Sequence, residues 1–117
     1  MSIEKNMATA QAYYQAMSKK DVTSIAQYLS SDIHFISPLT EVNGKDAMLN
    51  AIKGFMTVLT SLSIRACCGT NNHVMLAYDF SCPQPLGTSR AAALFTFKDD
   101  LITHLELFFD ARPFEKN

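Results

Sequence analysis

Leu101-Ile-Thr-His-Leu-Glu-Leu-Phe-Phe-Asp110 is the clearest strand in the chain, with Leu101, Thr103, Leu105, Leu107 and Phe109 on one parity. The other parity, Ile102, His104, Glu106, Phe108 and Asp110, mixes apolar and ionisable groups. Successive side chains of a strand leave opposite faces of a sheet. The first set is therefore expected to face a core or pocket, and the second to meet water or a partner.

Working back from this strand, the expected meander is Leu62 to Cys68, His73 to Cys82 and Arg90 to Lys98, separated by Gly69-Thr-Asn-Asn72, Pro83-Gln-Pro-Leu-Gly87 and the tight Lys98-Asp-Asp100 turn. The upstream half reads as helix. Met7, Ala10, Tyr14 and Met17 recur on one stripe of a helix from Glu4 to Ser18. Val22, Ile25, Ala26 and Leu29 follow on a second helix, which Asp21 can cap through the first free backbone N–H groups. Ile33 to Pro38 is a short strand ended by a proline, and Leu39 to Val42 is connection. Asn43 is the expected cap of a third helix from Lys45 to Leu59, whose apolar face holds Met48, Ile52, Phe55 and Met56. The order α-α-β-α-β-β-β-β predicts an α+β fold, with helices packed on one face of a mostly antiparallel sheet.

A chain of 117 residues has room for one core, so a single domain over residues 1–117 is expected. With 48% hydrophobic and 18% charged residues it is globular, and no apolar run approaches the ~20 residues of a membrane helix. The first residues show no secretory pattern, so a cytoplasmic location is expected. A net charge of -1, with Lys19-Lys20 the only basic pair, gives no broad basic surface, and nucleic acid is not an expected partner. Three cysteines, two of them adjacent, match neither a disulfide framework nor a zinc spacing. They are expected to be free thiols, and neither a metal nor a cofactor is expected.

Tyr13 eight residues before Asp21, Ser37-Pro38 closing the first strand, Asn43-Gly44-Lys45-Asp46 opening the third helix, and the ending Phe108-Phe109-Asp110-Ala-Arg112-Pro113-Phe114 stand in an order that resembles the nuclear transport factor 2-like superfamily. The ending is most similar to its SnoaL-like branch, which includes polyketide cyclases. The resemblance implies a cone-shaped fold, in which helices and a strongly curved sheet enclose a central apolar pocket, and a homodimer formed through the outer sheet face. It also implies a small hydrophobic ligand that carries a carbonyl group, with isomerase, cyclase or lyase chemistry through enolisation; a noncatalytic binding or dimerisation module is the alternative. Of the three groups used by the related ketosteroid isomerases, only the helix tyrosine survives, at Tyr13. Ser37 stands at the general base and Ala93 at the protonated acid, and a serine hydroxyl cannot take a proton from carbon as a carboxylate does. The standard steroid-isomerase mechanism is therefore not expected.

The candidate ligand-binding set is Tyr13, Phe35, Ser37, Phe55, Leu105, Leu107 and Phe109, a wall of carbon with two hydroxyls. Tyr13 and Asp110 are the candidate catalytic residues. Tyr13 would donate a hydrogen bond to a carbonyl or enolate, or would be a packed tyrosine; Asp110 would be an acid near the pocket mouth, or would fix the terminus through Arg112. His104 and Glu106 share a strand face and could form an acid–base pair, but alternation sends them outward. Asp79 is expected on the solvated or dimer face, because Tyr78 and Phe80 hold the more apolar parity. Ile36, Ile102 and Phe108 are the apolar residues expected at the dimer contact.

Overall fold

The computed structural model describes residues 2–115. The elements run α1 (Ile3–Ser18), α2 (Val22–Tyr28), β1 (Leu29–Ile36), β2 (Glu41–Asn43), α3 (Lys45–Val58), β3 (Ser61–Gly69), β4 (His73–Cys82), β5 (Gly87–Lys98) and β6 (Leu101–Phe109), followed by a 3₁₀ turn, Arg112–Phe114. Six strands form one curved sheet in the order β2-β1-β6-β5-β4-β3, parallel between β1 and β6 and antiparallel elsewhere. The three helices pack on its concave face. No helix among the described residues is long and apolar enough to cross a membrane.

Local chemistry sets the helix ends. The Ser2 side chain accepts from the Lys5 N–H at 2.9 Å and starts α1, and the Asp21 carboxylate accepts from Ser24 N at 3.1 Å and starts α2 as expected. At α3 the expected cap moves by one residue. Asn43 is taken into β2 opposite His34, and the chain turns into the helix at Gly44 with φ 95, a conformation that a side chain would strain. Gly44 is thus the N-cap, with no side-chain hydrogen bond.

Two elements differ from the periodicity. Leu29, which completes the apolar stripe of α2, is already extended, and it pairs in parallel with Ile102. The connection after Pro38 holds the short strand β2. It is returned by a turn in which Ser37 N–H donates to the Thr40 carbonyl at 2.8 Å and Ser37 Oγ accepts from Leu39 N and Thr40 N, each at 3.1 Å.

The largest correction lies in β6. Phe97 pairs with Ile102 and Thr96 with His104, so Thr103 is an extra residue, a β-bulge whose hydroxyl donates to the Thr96 carbonyl at 3.2 Å. The bulge resets the alternation. Ile102 turns inward beside Phe97 and is 0% exposed, on the same face as Leu105 and Leu107. It is therefore core, and the expectation that it joins Ile36 and Phe108 on the outer face does not hold. The core joins Tyr13, Tyr14 and Met17 of α1 and Met48, Ile52 and Met56 of α3 to the inward strand residues Ile33, Leu76, Phe80, Phe95 and Ile102.

Candidate functional site

Where α1 and α3 splay from the concave face of the sheet, a cavity of about 320 Å³ opens between them. α1 contributes Tyr13, Tyr14 and Met17, and α3 contributes Ala51, Ile52, Gly54, Phe55 and Val58. The sheet contributes Phe35, Tyr78, Phe80, Leu107 and Phe109, while the turn after β1 gives Ser37, Leu39 and Thr40 and the C-terminal 3₁₀ turn gives Phe114. Leu39 and Val58 remain substantially exposed, marking an apolar rim. Edge-to-face contacts stiffen one wall: the ring centroids of Phe55 and Phe80 lie 5.2 Å apart, those of Phe80 and Phe109 5.6 Å, and those of Phe109 and Phe114 5.7 Å.

The lining holds no charged side chain, and its polar atoms are the hydroxyls of Tyr13, Tyr14, Tyr78, Ser37 and Thr40. The Tyr14 hydroxyl donates to that of Tyr78 at 3.2 Å, which leaves the Tyr78 proton free for another acceptor. The Tyr13 hydroxyl makes no side-chain hydrogen bond among the described residues, although its ring is packed edge-on against Tyr14 and Phe95. Burial pushes the phenols of Tyr13 and Tyr14 well above the ordinary tyrosine range. It pushes Tyr78 up to about 12, with the Tyr14 hydrogen bond pulling the other way. All three are neutral donors in the physiological range.

The raised tyrosine values fix the sign of an alkaline effect. The folded state holds these protons more tightly than the unfolded chain, so this contribution to stability is complete below the unfolded tyrosine value of about 10 and is lost as pH rises toward about 12. In a spectrophotometric titration, ionisation of Tyr13, Tyr14 and Tyr78 is expected to coincide with loss of the circular dichroism signal. Ionisation of Tyr13, Tyr14 and Tyr78 near pH 10 in a still-folded protein would contradict their burial.

Six members of the expected binding set, Tyr13, Phe35, Ser37, Phe55, Leu107 and Phe109, border this cavity. Leu105 does not. It lies between Phe35 and Phe95 in the ladder, 1% exposed, within the core rather than on the cavity wall. The expectation of two hydroxyls is too low, because Tyr14, Tyr78 and Thr40 add three more. The inward parity of Tyr78 and Phe80 was visible in the sequence, but the way the wide α3 face stands off from them was not.

Ser37 at its place in the turn accepts two backbone N–H groups, so its oxygen is engaged and its proton remains to be donated. Ala93 is fully buried opposite Leu107. Asp110 is exposed and gripped by Arg112, whose Nη2 donates at 2.6 Å and Nε at 2.9 Å. These hydrogen bonds hold its carboxyl down to about 2. It is absent from the cavity wall and is paired with Arg112, the ion pair that the sequence offered as the alternative to a catalytic role. Its pKa is lowered, so any stability from this pair is present above the unfolded aspartate value near 4 and is lost as pH falls through about 2. Asp110→Asn is accordingly expected to leave ligand affinity unchanged, as measured by calorimetry at neutral pH.

The remaining ionisable candidates lie away from the cavity. Asp79 is half-exposed, with Oδ1 3.7 Å from Arg65. His104 is exposed on the outer face, its ring 5.9 Å from that of His34, whose Nε2 lies 2.7 Å from Glu41. Among the described residues no cluster of three potential ligands could hold a metal ion.

A family profile described as SnoaL-like domain matches residues 10–105, most of the chain and all of the cavity-lining residues except Leu107, Phe109 and Phe114. The chain belongs to the SnoaL-like family. This SnoaL-like chain is similar in structure to a protein from Kribbella flavida DSM 17836, with 27% identity and a TM-score of 0.86 over 92% of this chain and 88% of that one. It is also similar to an NTF2-like protein from Cytophaga hutchinsonii ATCC 33406, with 19% identity and a TM-score of 0.83 over 93% of each chain. An LEH-like epoxide hydrolase from M. tuberculosis has a TM-score of 0.81 at 14% identity, over 93% of this chain and 85% of that one, a likeness of fold alone. No curated protein matches the sequence.

Proposed function

We propose that the central cavity binds a small, uncharged, hydrophobic molecule that carries a carbonyl group. The observation that carries this reading is the composition of the wall: aromatic and aliphatic carbon with five hydroxyls and no charged side chain. Such a wall repels an anion, whose lost hydration nothing replaces, and accepts a carbonyl oxygen that can take one or two O–H donors. Tyr13 is the leading donor, because it is buried and has no competing side-chain partner. Isomerase, cyclase or lyase chemistry through enolisation needs a base, and neither a carboxylate nor an imidazole borders the cavity. Binding and polarisation of the carbonyl is therefore the favoured role over proton abstraction.

Calorimetric titration with a ketone, and with the carboxylate and the alkane of matching size, tests this reading. The ketone is expected to bind most tightly, and Tyr13→Phe to weaken it by about 0.5–1.5 kcal/mol without changing the fold, since one neutral hydrogen bond is removed. A carboxylate that binds as well as the ketone would overturn the reading.

For the outer sheet face, the partner we infer is a second copy of the chain. Phe108 is 46% exposed and Met75 42%, with half-buried Ile36 and Leu94 on the same face. Light scattering is expected to give about twice the 13.0 kDa chain mass, and Phe108→Glu to halve it. A wild-type monomer at micromolar concentration would remove the inference.

A further inference from the structure

We infer that Gly54 sets the width of the cavity mouth and so decides how broad a ligand the site accepts, an inference that rests on the binding function proposed above. The chain has four glycines, and three of them have a reason in the backbone or the packing. Gly44 and Gly87 have φ of 95 and 69, where a side chain is strained. A Cβ on Gly69 would sit 3.1 Å from Met7 Cγ and 3.3 Å from Ile3 Cγ2, inside the packing of α1 on β3.

Gly54 has none of these. It lies within α3, which continues to Val58 and is capped at Leu59, so it does not end the helix. Its φ is not positive, and a Cβ added there would meet no atom within 4 Å. Glycine inside a helix is less favourable than alanine, because it has more backbone freedom to lose. The fold therefore bears a destabilising residue at a place where nothing inside the chain needs it.

What Gly54 does border is the cavity, with Ala51 and Val58 one turn to either side on the same edge of α3. Gly54 is itself exposed, which puts it with Leu39 and Val58 on the rim where the cavity opens to solvent. A side chain at this position would narrow the mouth, which matters little to a slender chain that can bend past it. A rigid, broad molecule has no such freedom, so the glycine serves only a ligand of that shape.

The full-length protein and its Gly54→Ala and Gly54→Leu variants would be melted and titrated with 2-decanone and 2-adamantanone, two ten-carbon ketones that differ in breadth. Gly54→Ala is expected to raise Tm by roughly 2–5 °C, the gain of a better helix former without a clash. Gly54→Leu is expected to weaken the cage ketone about tenfold or more, and the linear ketone by no more than about twofold. A lower Tm for Gly54→Ala would give the glycine a structural reason and overturn the inference. Equal effects on the two ketones would also overturn it while leaving the binding function standing. Failure of the wild-type protein to bind either ketone would overturn the binding function itself, and this inference with it.

Discussion

Ile102→Asp is expected to unfold the protein, whereas Phe108→Asp leaves it folded. Ile102 is 0% exposed between Phe97 and the start of β1, so the substitution removes a buried aliphatic side chain and places a carboxylate where no partner is available. The first change costs about 2–5 kcal/mol and the second adds to it. The sum is comparable with the whole stability of a small domain, about 5–15 kcal/mol. Phe108, 46% exposed on the opposite face, has no such burial to lose. Urea denaturation followed by circular dichroism separates the two variants. If both unfold, or both stay folded, the bulge at Thr103 is misplaced and the strict alternation of the sequence must be restored.

Leu107→Arg has the next largest expected effect, the loss of ketone binding. Leu107 lies beyond the bulge, opposite Ala93, and faces the cavity beside Phe109. A guanidinium there finds no carboxylate among the lining residues and either fills the cavity or drags water into it. Affinity should fall by at least about 2 kcal/mol, more than the loss of any one hydroxyl. Leu107→Met, which keeps volume and polarity close to those of leucine, should bind nearly as well as the wild type. A stable Leu107→Arg protein with unchanged affinity would mean that Leu107 points outward. The faces of β6 would then be exchanged, and His104 and Glu106 would enter the cavity as a polar site.

The contrast between these two strand residues shows what the sequence could reveal. Period-two alternation placed Leu107 and Phe109 correctly, because from Leu105 onward β6 is regular and one parity is plainly more apolar. The same rule failed at Ile102, because a bulge is a property of the pairing with β5 rather than of β6 alone, and Leu101 and Ile102 are equally apolar. Strand β4 was legible end to end, since Asn72 and Pro83 punctuate it and its inward residues Val74, Leu76, Tyr78 and Phe80 alternate without interruption. The cap of α2 was legible because Asp21 acts through its own neighbours. Asn43 was not, because its recruitment into β2 depends on His34, nine residues away.

At the cavity, the residues found from the sequence are those for which inward parity and apolar character coincide, such as Phe35 and Phe109. Leu105 satisfied the same rule but lies deeper, between Phe35 and Phe95 in the ladder, and depth is set by how far the helices stand from the sheet. Asp110 read as a functional acid only while Arg112 was an open possibility. The two-residue spacing lets the guanidinium reach both oxygens, and the pair consumes the charge. Gly54 gave no signal in the hydrophobic pattern, because its significance lies in the atoms that are absent around it.

The most direct test of the account is a crystal structure of the protein grown with 2-decanone. The ketone is expected inside the cavity, its chain against Phe80 and Phe109 and its carbonyl oxygen about 2.7 Å from the Tyr13 hydroxyl. A ketone bound only outside the cavity, or a cavity closed by repacked side chains with no ligand in it, would contradict the account.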